Sequence, residues 1–396
     1  MGLATALSMT GDLGGSIELC RRAIELDPSH LRAYGILGGV YQRLGQFDEA
    51  VACAQSAIAI RPDVSKPYVE IVRCKKIAAE DTELLNVLEQ MLIDPKRPTS
   101  EKFQIAFALG KAFDELGEYD RARVSFELAN DIACEMTGSS IRYDFGRREA
   151  EVETISKTFN TPVRPEPSRV EPLPVLIVGM IRSGTTLLDS LLCRYEGISS
   201  AGELRFWEDR ITGGFRAGSP PKPSALAVEY RSILKETDPA ARVVIDKMPM
   251  NHRFLGFILG ALPEAKVIHL RRNPLDTCVS IYTTDFGPRP PNFAFERGRI
   301  AHAYRMYLRL MDHWRRLIPS EAMMEVDYED LVGGTDKTLG AVLNFLGVSA
   351  GIGSEPGNLD IRTPSRWQAR RPVYASSVGR WKNYQPWLKE FGPLVK

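Results

Sequence analysis

Histidine is scarce in this chain and cysteine is scattered. Five histidines and six cysteines are spread over 396 residues, with no C-x-x-C and no His/Cys cluster. Such spacing suggests neither a zinc site nor a disulfide framework. Cys20, Cys53, Cys74, Cys134, Cys193 and Cys278 are expected as free thiols in a reducing compartment, several within apolar helical patterns. No apolar run approaches the ~18–20 residues of a membrane span, so no membrane association is expected. The opening MGLATALSMTGDLGG lacks a basic stretch followed by an apolar core. No signal peptide is therefore expected, and the expected location is cytoplasmic. Charge of one sign is missing too: the net charge of +1 argues against a general nucleic-acid binder. The balance leans acidic before residue 170 and basic after it, as a site for a multiply charged anion would need.

What is present begins with a repeat. GDLGGSIELCRRAIELDP (11–28) aligns with GQFDEAVACAQSAIAIRP (45–62), matching Gly11 to Gly45, Ala23 to Ala57 and Pro28 to Pro62. The offset is that of the 34-residue tetratricopeptide repeat, a helix–turn–helix unit. Residues 31–63 fit the consensus through Leu37-Gly38, Tyr41, Gly45, Ala50, Ala57 and Pro62. Degenerate units follow at 65–98 and 100–135, and the first unit lacks most of its opening helix. That predicts an array that begins upstream of Met1 or is frayed there. The expected organisation is a helical solenoid over 1–136, a capping or connecting helix over 137–160 and a Pro-rich linker over 161–174. An α/β domain is expected over 175–396. The linker TPVRPEPSRVEPLP is expected to be neither helix nor central strand.

In the second half, continuous apolar runs alternate with helical patterns. VLIVG (175–179), RVVID (242–246), AKVIHL (265–270) and MMEVD (323–327) read as buried strands. The expected fold is therefore a mainly parallel sheet covered on both faces, of P-loop-like α/β class. Ligands on such sheets bind at the carboxyl ends of strands. The loop after Gly179, Lys247, Arg272 and Tyr328 all fall there.

The loop in VLIVGMIRSGTTLLDSLL has Gly179 and Gly184 at the spacing of G-x-x-x-x-G-K-[ST]. Thr185 stands in place of the lysine that contacts β/γ-phosphates, and Arg182 lies inside the loop. Backbone N–H groups from Ser183 to Thr186 at a helix start, with the Thr185 and Thr186 hydroxyls, suit an anion. Arg182 can fork onto a phosphate or sulfonate.

IRSGTTLL resembles the 5′-phosphosulfate loop of sulfotransferases that use 3′-phosphoadenosine-5′-phosphosulfate (PAPS), with Ile181 where proline is usual. HLRRNPLDTCVS resembles their 3′-phosphate motif, which makes Arg272 and Ser280 donor-binding residues and leaves Arg271 structural. AGELRFW and VIDKMPMN are similar to segments of tyrosylprotein sulfotransferases and of bacterial tetratricopeptide-linked ones. There the resemblance implies Glu203, near Arg205, as catalytic base and Lys247 as a contact to the transferred group. VDYEDLV implies Tyr328 near the nucleotide, and RRPVYASSVGRWKNY implies a donor-covering loop with Arg371, Ser377 and Lys382 as contacts. Thr284 stands where the tyrosylprotein enzymes carry a further basic residue.

The resemblance thus implies sulfuryl transfer from PAPS to a hydroxyl, leaving 3′-phosphoadenosine-5′-phosphate, with no metal required. Glu203 would remove the acceptor proton while Lys247 and Arg182 stabilise the transferring group. The repeats imply a peptide or protein acceptor or partner. Tyrosine, carbohydrate and small-molecule acceptors stay open. Two other classes compete: a P-loop kinase-like phosphotransferase and a non-catalytic tetratricopeptide scaffold. His252, His269, His302 and His313 show no ligand or triad spacing and are expected to be structural.

Overall fold

The computed structural model describes residues 1–137, 143–166, 171–216, 222–287, 290–349, 351 and 373–394. The described residues fall into two compact units, one from within 1–142 and 282–296, the other from within 143–281, 297–357 and 372–396.

The first unit is helical. It comprises α1 (Gly2–Thr10), α2 (Leu13–Leu26), α3 (Leu31–Leu44), α4 (Phe47–Ile60) and α5 (Ser65–Cys74). It continues with α6 (Thr82–Ile93), α7 (Thr99–Leu116) and α8 (Tyr119–Thr137). Successive helices pack on one another. The starts of α2 and α4, and of α3, α5 and α7, keep the 34-residue interval of the repeat. Pro28, Pro62 and Pro95 each stand two residues past a helix end, where the ring cannot continue the helix. Small residues matter where paired helices touch: a Cβ on Gly110 would lie 2.6 Å from the Phe126 ring of α8.

The second unit opens with α9 (Phe145–Thr158), which packs on α15 (Arg297–Leu317). Its sheet has five strands, β1 (Leu173–Gly179), β2 (Ile198–Gly202), β3 (Val243–Asp246), β4 (Lys266–Arg271) and β5 (Met323–Asp327). The order is β2-β3-β1-β4-β5 and every pairing is parallel. The helices between are α10 (Thr185–Leu192), α11 (Phe206–Arg216), α12 (Pro223–Thr237), α13 (Leu255–Ala261) and α14 (Pro274–Tyr282). After β5 come α16 (Tyr328–Gly333) and α17 (Thr335–Leu346).

Val175, Ile177, Val243, Ile245, Ile268 and Leu270 are all buried in one core with α10 and α17, which is why β1, β3 and β4 read as unbroken apolar runs. The chain leaves β1 toward β2 on one side and leaves β4 toward β5 on the other. The crevice at the carboxyl ends of β1 and β4 is therefore a topological switch point, where such sheets bind ligands.

One expectation is corrected here. Leu173 and Pro174, assigned to the linker, begin β1, which is the central strand. Leu173 N–H donates to the Arg242 carbonyl at 2.8 Å, toward the β3 side. The nitrogen of Pro174 alternates to the β4 side, where pairing starts only at Val175 opposite Lys266. The missing N–H therefore removes no ladder hydrogen bond. β2 was absent from the strands expected from sequence, because ISSAG has neither an apolar run nor a clear alternation.

Candidate active site

The loop between β1 and α10 is held in shape by its backbone. Arg182 has φ 67° and Gly184 has φ 104°. A Cβ at Gly184 would lie 2.5 Å from the Tyr328 ring, so only glycine fits both the conformation and the space. The Ser183 N–H does not point outward as expected from sequence. It donates to the Met180 carbonyl at 3.2 Å and closes a turn. Thr185 and Thr186 occupy the first turn of α10, both buried, and the Ser183 Oγ is buried with no hydrogen-bond partner.

Arg182 and Ser280, expected to bind opposite ends of a donor, are joined: Arg182 Nε donates to Ser280 Oγ at 3.2 Å. Arg272 donates from Nη1 to the Arg182 carbonyl at 3.0 Å and from Nη2 to the Ser377 carbonyl at 2.7 Å. Its guanidinium lies 4.5 Å from the centre of the Tyr328 ring, a cation–π contact, and its Nε is buried without a hydrogen-bond partner. Arg182, Ser280, Arg272, Tyr328 and Ser377 thus form one cluster. Burial, then the Arg272 guanidinium, push the Arg182 guanidinium down to about 10, and Arg380 adds to that repulsion. Like charges gathered this way favour a multiply charged anion.

Arg271, by contrast, is tied away by Asp327 (2.7 Å) and Glu325 (2.9 Å), as expected of a structural residue. Lys382 is exposed, and its side chain lies along Gly379. Arg371 lies outside the described residues.

Glu203 and Lys247 follow the neighbouring strands β2 and β3. The register shift between Ser200 and Gly202 and the bond from Lys247 N–H to the Gly202 carbonyl (2.9 Å) bring the two strand ends level. Lys247 Nζ then donates to Glu203 Oε1 at 2.6 Å. The lysine side chain is 3% exposed and the glutamate 41% exposed, so the carboxylate faces solvent and the ammonium the interior. Lys247 does not pair with its sequence neighbour Asp246. Asp246 accepts from Tyr230 (2.8 Å) and Asn251 (3.0 Å) instead.

Three features of this region escaped the sequence reading. Asp189, on the buried face of α10, accepts from Ser200 Oγ at 3.1 Å and feels the Lys247 charge. The Arg380 charge acts on Arg182. Asp276 of α14 accepts the backbone N–H groups of Gly379 (2.7 Å) and Trp381 (2.9 Å), which anchors the C-terminal segment beside Arg272. Only Asp189 left a trace in the sequence, as a lone acid within the apolar stretch TTLLDSLL.

The histidines sit in packing networks. His269 lies between Glu325 (2.8 Å) and Tyr307 (2.5 Å), and His302 between Tyr143 (2.7 Å) and Glu149 (3.1 Å). Among the described residues no group of three or more His, Cys, Asp or Glu is arranged to hold a metal ion, and no helix is long and apolar enough to cross a membrane. None of the six cysteines forms a disulfide among the described residues, and Cys20, Cys53, Cys74 and Cys278 are buried.

Comparison with known proteins agrees with both halves. Residues 174–350 match the Sulfotransferase family and residues 8–70 match the Tetratricopeptide repeat. An uncharacterized protein of Aquifex aeolicus (strain VF5) is 30% identical over 399 residues, covering 94% of this chain and 51% of that protein. The chain thus spans about half the length of that relative. Among solved structures, the sulfotransferase domain from the Synechococcus PCC 7002 olefin synthase is similar with a TM-score of 0.43 and 18% identity. That similarity covers 60% of this chain and 98% of that one. The sulfotransferase domain from the curacin biosynthetic pathway is similar with a TM-score of 0.39 and 17% identity, covering 57% and 99%. The chain therefore carries a sulfotransferase-family domain together with tetratricopeptide repeats.

Proposed function

We propose that the sulfotransferase-family domain transfers a sulfuryl group from PAPS to a hydroxyl on a peptide or protein, tyrosine among the candidate acceptors, and that the repeats recruit that acceptor. The observation that carries this reading is the hydrogen bond from Arg182 Nε to Ser280 Oγ, with Arg272 clasped to the same loop. It gathers the two donor motifs into one cationic cluster. The buried Ser183 Oγ and Arg272 Nε, both without partners, fit a ligand rich in acceptor oxygens. Thr185, Thr186 and the start of α10 would hold the phosphosulfate, and Arg272, Ser280, Tyr328 and Ser377 the remainder of the nucleotide.

When bound, PAPS supplies the sulfuryl group and a phosphate that leaves as the S–O bond to it breaks. Glu203 takes the acceptor's proton, and a base so placed contributes roughly 10²–10⁴-fold in rate. Lys247, 2.6 Å from that carboxylate, would stabilise the transferring group, and Arg182 would offset the charge that develops beside it. The rest is positioning.

The test is a pair of measurements. 3′-Phosphoadenosine-5′-phosphate should raise the unfolding midpoint more than Mg-ATP at equal concentration. Labelled PAPS should transfer its sulfuryl group to a peptide library. A larger shift with Mg-ATP would overturn the reading in favour of phosphotransfer.

A further inference from the structure

Lys247 presents an electrostatic problem that Glu203 does not solve alone. The ammonium is 3% exposed, and its hydrogen-bonded partner is Glu203. If Glu203 accepts the acceptor's proton, that counter-charge disappears during the step in which Lys247 must stay charged. An ammonium left buried without a counter-charge is strongly unfavourable.

The Lys247 charge also acts on a second carboxylate. Asp189 projects from α10, the helix whose first turn carries Thr185 and Thr186. It is only 9% exposed. Its Oδ2 accepts from Ser200 Oγ on β2 at 3.1 Å, while its Oδ1 is buried with no hydrogen-bond partner. Asp189 thus ties α10 to β2, and the Lys247–Glu203 pair ties the end of β2 to the end of β3. Burial raises the Asp189 carboxyl to about 6, and Lys247 draws it back down while Glu203 raises it.

Asp246 is the competing counter-charge, since Lys247 acts on it as well. Its oxygens are already engaged by Tyr230, Asn251 and the Leu204 N–H. Burial pushes it higher, to about 7. Asp189, in contrast, keeps an oxygen that no donor occupies.

We propose that Asp189 is a positioning residue: its buried carboxylate holds the Lys247 ammonium while Glu203 is neutral, so that Lys247 stays charged and in place through the transfer. This rests on the transfer roles given above to Glu203 and Lys247.

A stability cycle tests the charge coupling without any assay. In the full chain, Glu203→Gln mimics the protonated base and Asp189→Asn removes the second charge with little change of shape. The double variant should unfold about 2 °C or more below the sum of the two single shifts, as expected for coupled neighbours. Adding Lys247→Met should abolish that excess. Additive shifts, or an excess that persists without the lysine, overturn the proposal. Failure of the double variant alone to fold, rescued by Lys247→Met, supports it.

The second arm reads turnover. Asp189→Asn should lower kcat by about tenfold or more, the scale seen when a supporting residue of a site is removed, with the donor KM within about twofold. A matched rise in donor KM at constant kcat would make Asp189 a donor-binding or merely structural residue. A wild type that transfers nothing from PAPS would refute the proposed function, while the stability cycle would still judge Asp189.

Discussion

At the scale of single residues, two positions separate chemistry from scaffolding. Glu203→Gln keeps an oxygen that can accept from Lys247 Nζ but cannot take a proton. Turnover should fall by ~10²-fold or more at an unchanged donor dissociation constant. Single-turnover kinetics together with donor titration would check this, and persistent turnover would place the base elsewhere. Gly184→Ala acts differently. The left-handed conformation at φ 104° opposes any side chain, by about 1–2 kcal/mol per residue. The added Cβ also meets the Tyr328 ring. Stability and donor affinity should therefore fall together, a joint loss that denaturation and titration of one preparation would reveal. Retained donor affinity would mean that Tyr328 can move without disturbing Arg272.

At the scale of elements, legibility followed burial pattern. VLIVG, RVVID and AKVIHL announced β1, β3 and β4 because strands covered on both faces must be apolar throughout. β2 went unread because ISSAG is short and half-buried, and its identity comes only from pairing with β3. Glu203 could still be singled out by its motif, but the reason it meets Lys247 lies in that unread strand. Arg182, Ser280 and Arg272 were legible from two separated motifs, whereas their joining is a property of the β1–β4 crevice. Arg380 and Asp276 were not legible as partners, since no spacing links residue 276 to Gly379 and Trp381. That link yields an element-scale prediction. Asp276, buried at the start of α14, holds the C-terminal segment by two backbone N–H groups. Asp276→Ala would leave those donors unpaired, a loss of about 1–3 kcal/mol for each group that stays buried. The segment around residues 374–382 should become more sensitive to protease and donor affinity should drop, with Asp276→Asn intermediate. Unchanged cleavage rates in all three proteins would show that the segment is anchored by other contacts.

At the scale of the whole molecule, two buried groups in the second unit bend its stability with pH in opposite directions. His252 is held down to about 3, chiefly by burial. A folded pKa below the unfolded value near 6.5 means that its contribution is present above pH 6.5 and lost as pH falls toward 3. Asp246 is held up at about 7, again chiefly by burial, against an unfolded value of 3.8. Its contribution is present below pH 3.8 and lost as pH rises through 7. Between these limits the two slopes oppose each other, each at most about 1.4 kcal/mol per pH unit. The raised Asp189 carboxyl adds to the Asp246 slope, so wild-type stability should fall with rising pH across the mildly acidic range, but less steeply than that of the His252→Asn variant. Replacing His252 by Asn removes the acid-side loss and leaves the Asp246 slope exposed, so that variant should lose stability as pH rises from 4 to 7. Replacing Asp246 by Asn removes one of the falling slopes, so that variant should lose less stability than the wild type as pH rises through the same range. Urea unfolding followed by tryptophan fluorescence suits the measurement, because Trp207, Trp314, Trp381 and Trp387, four of the five tryptophans, lie in the second unit. Parallel pH profiles for the wild type and both variants would contradict the assignment, since they would require His252 and Asp246 to bind the same protons folded and unfolded.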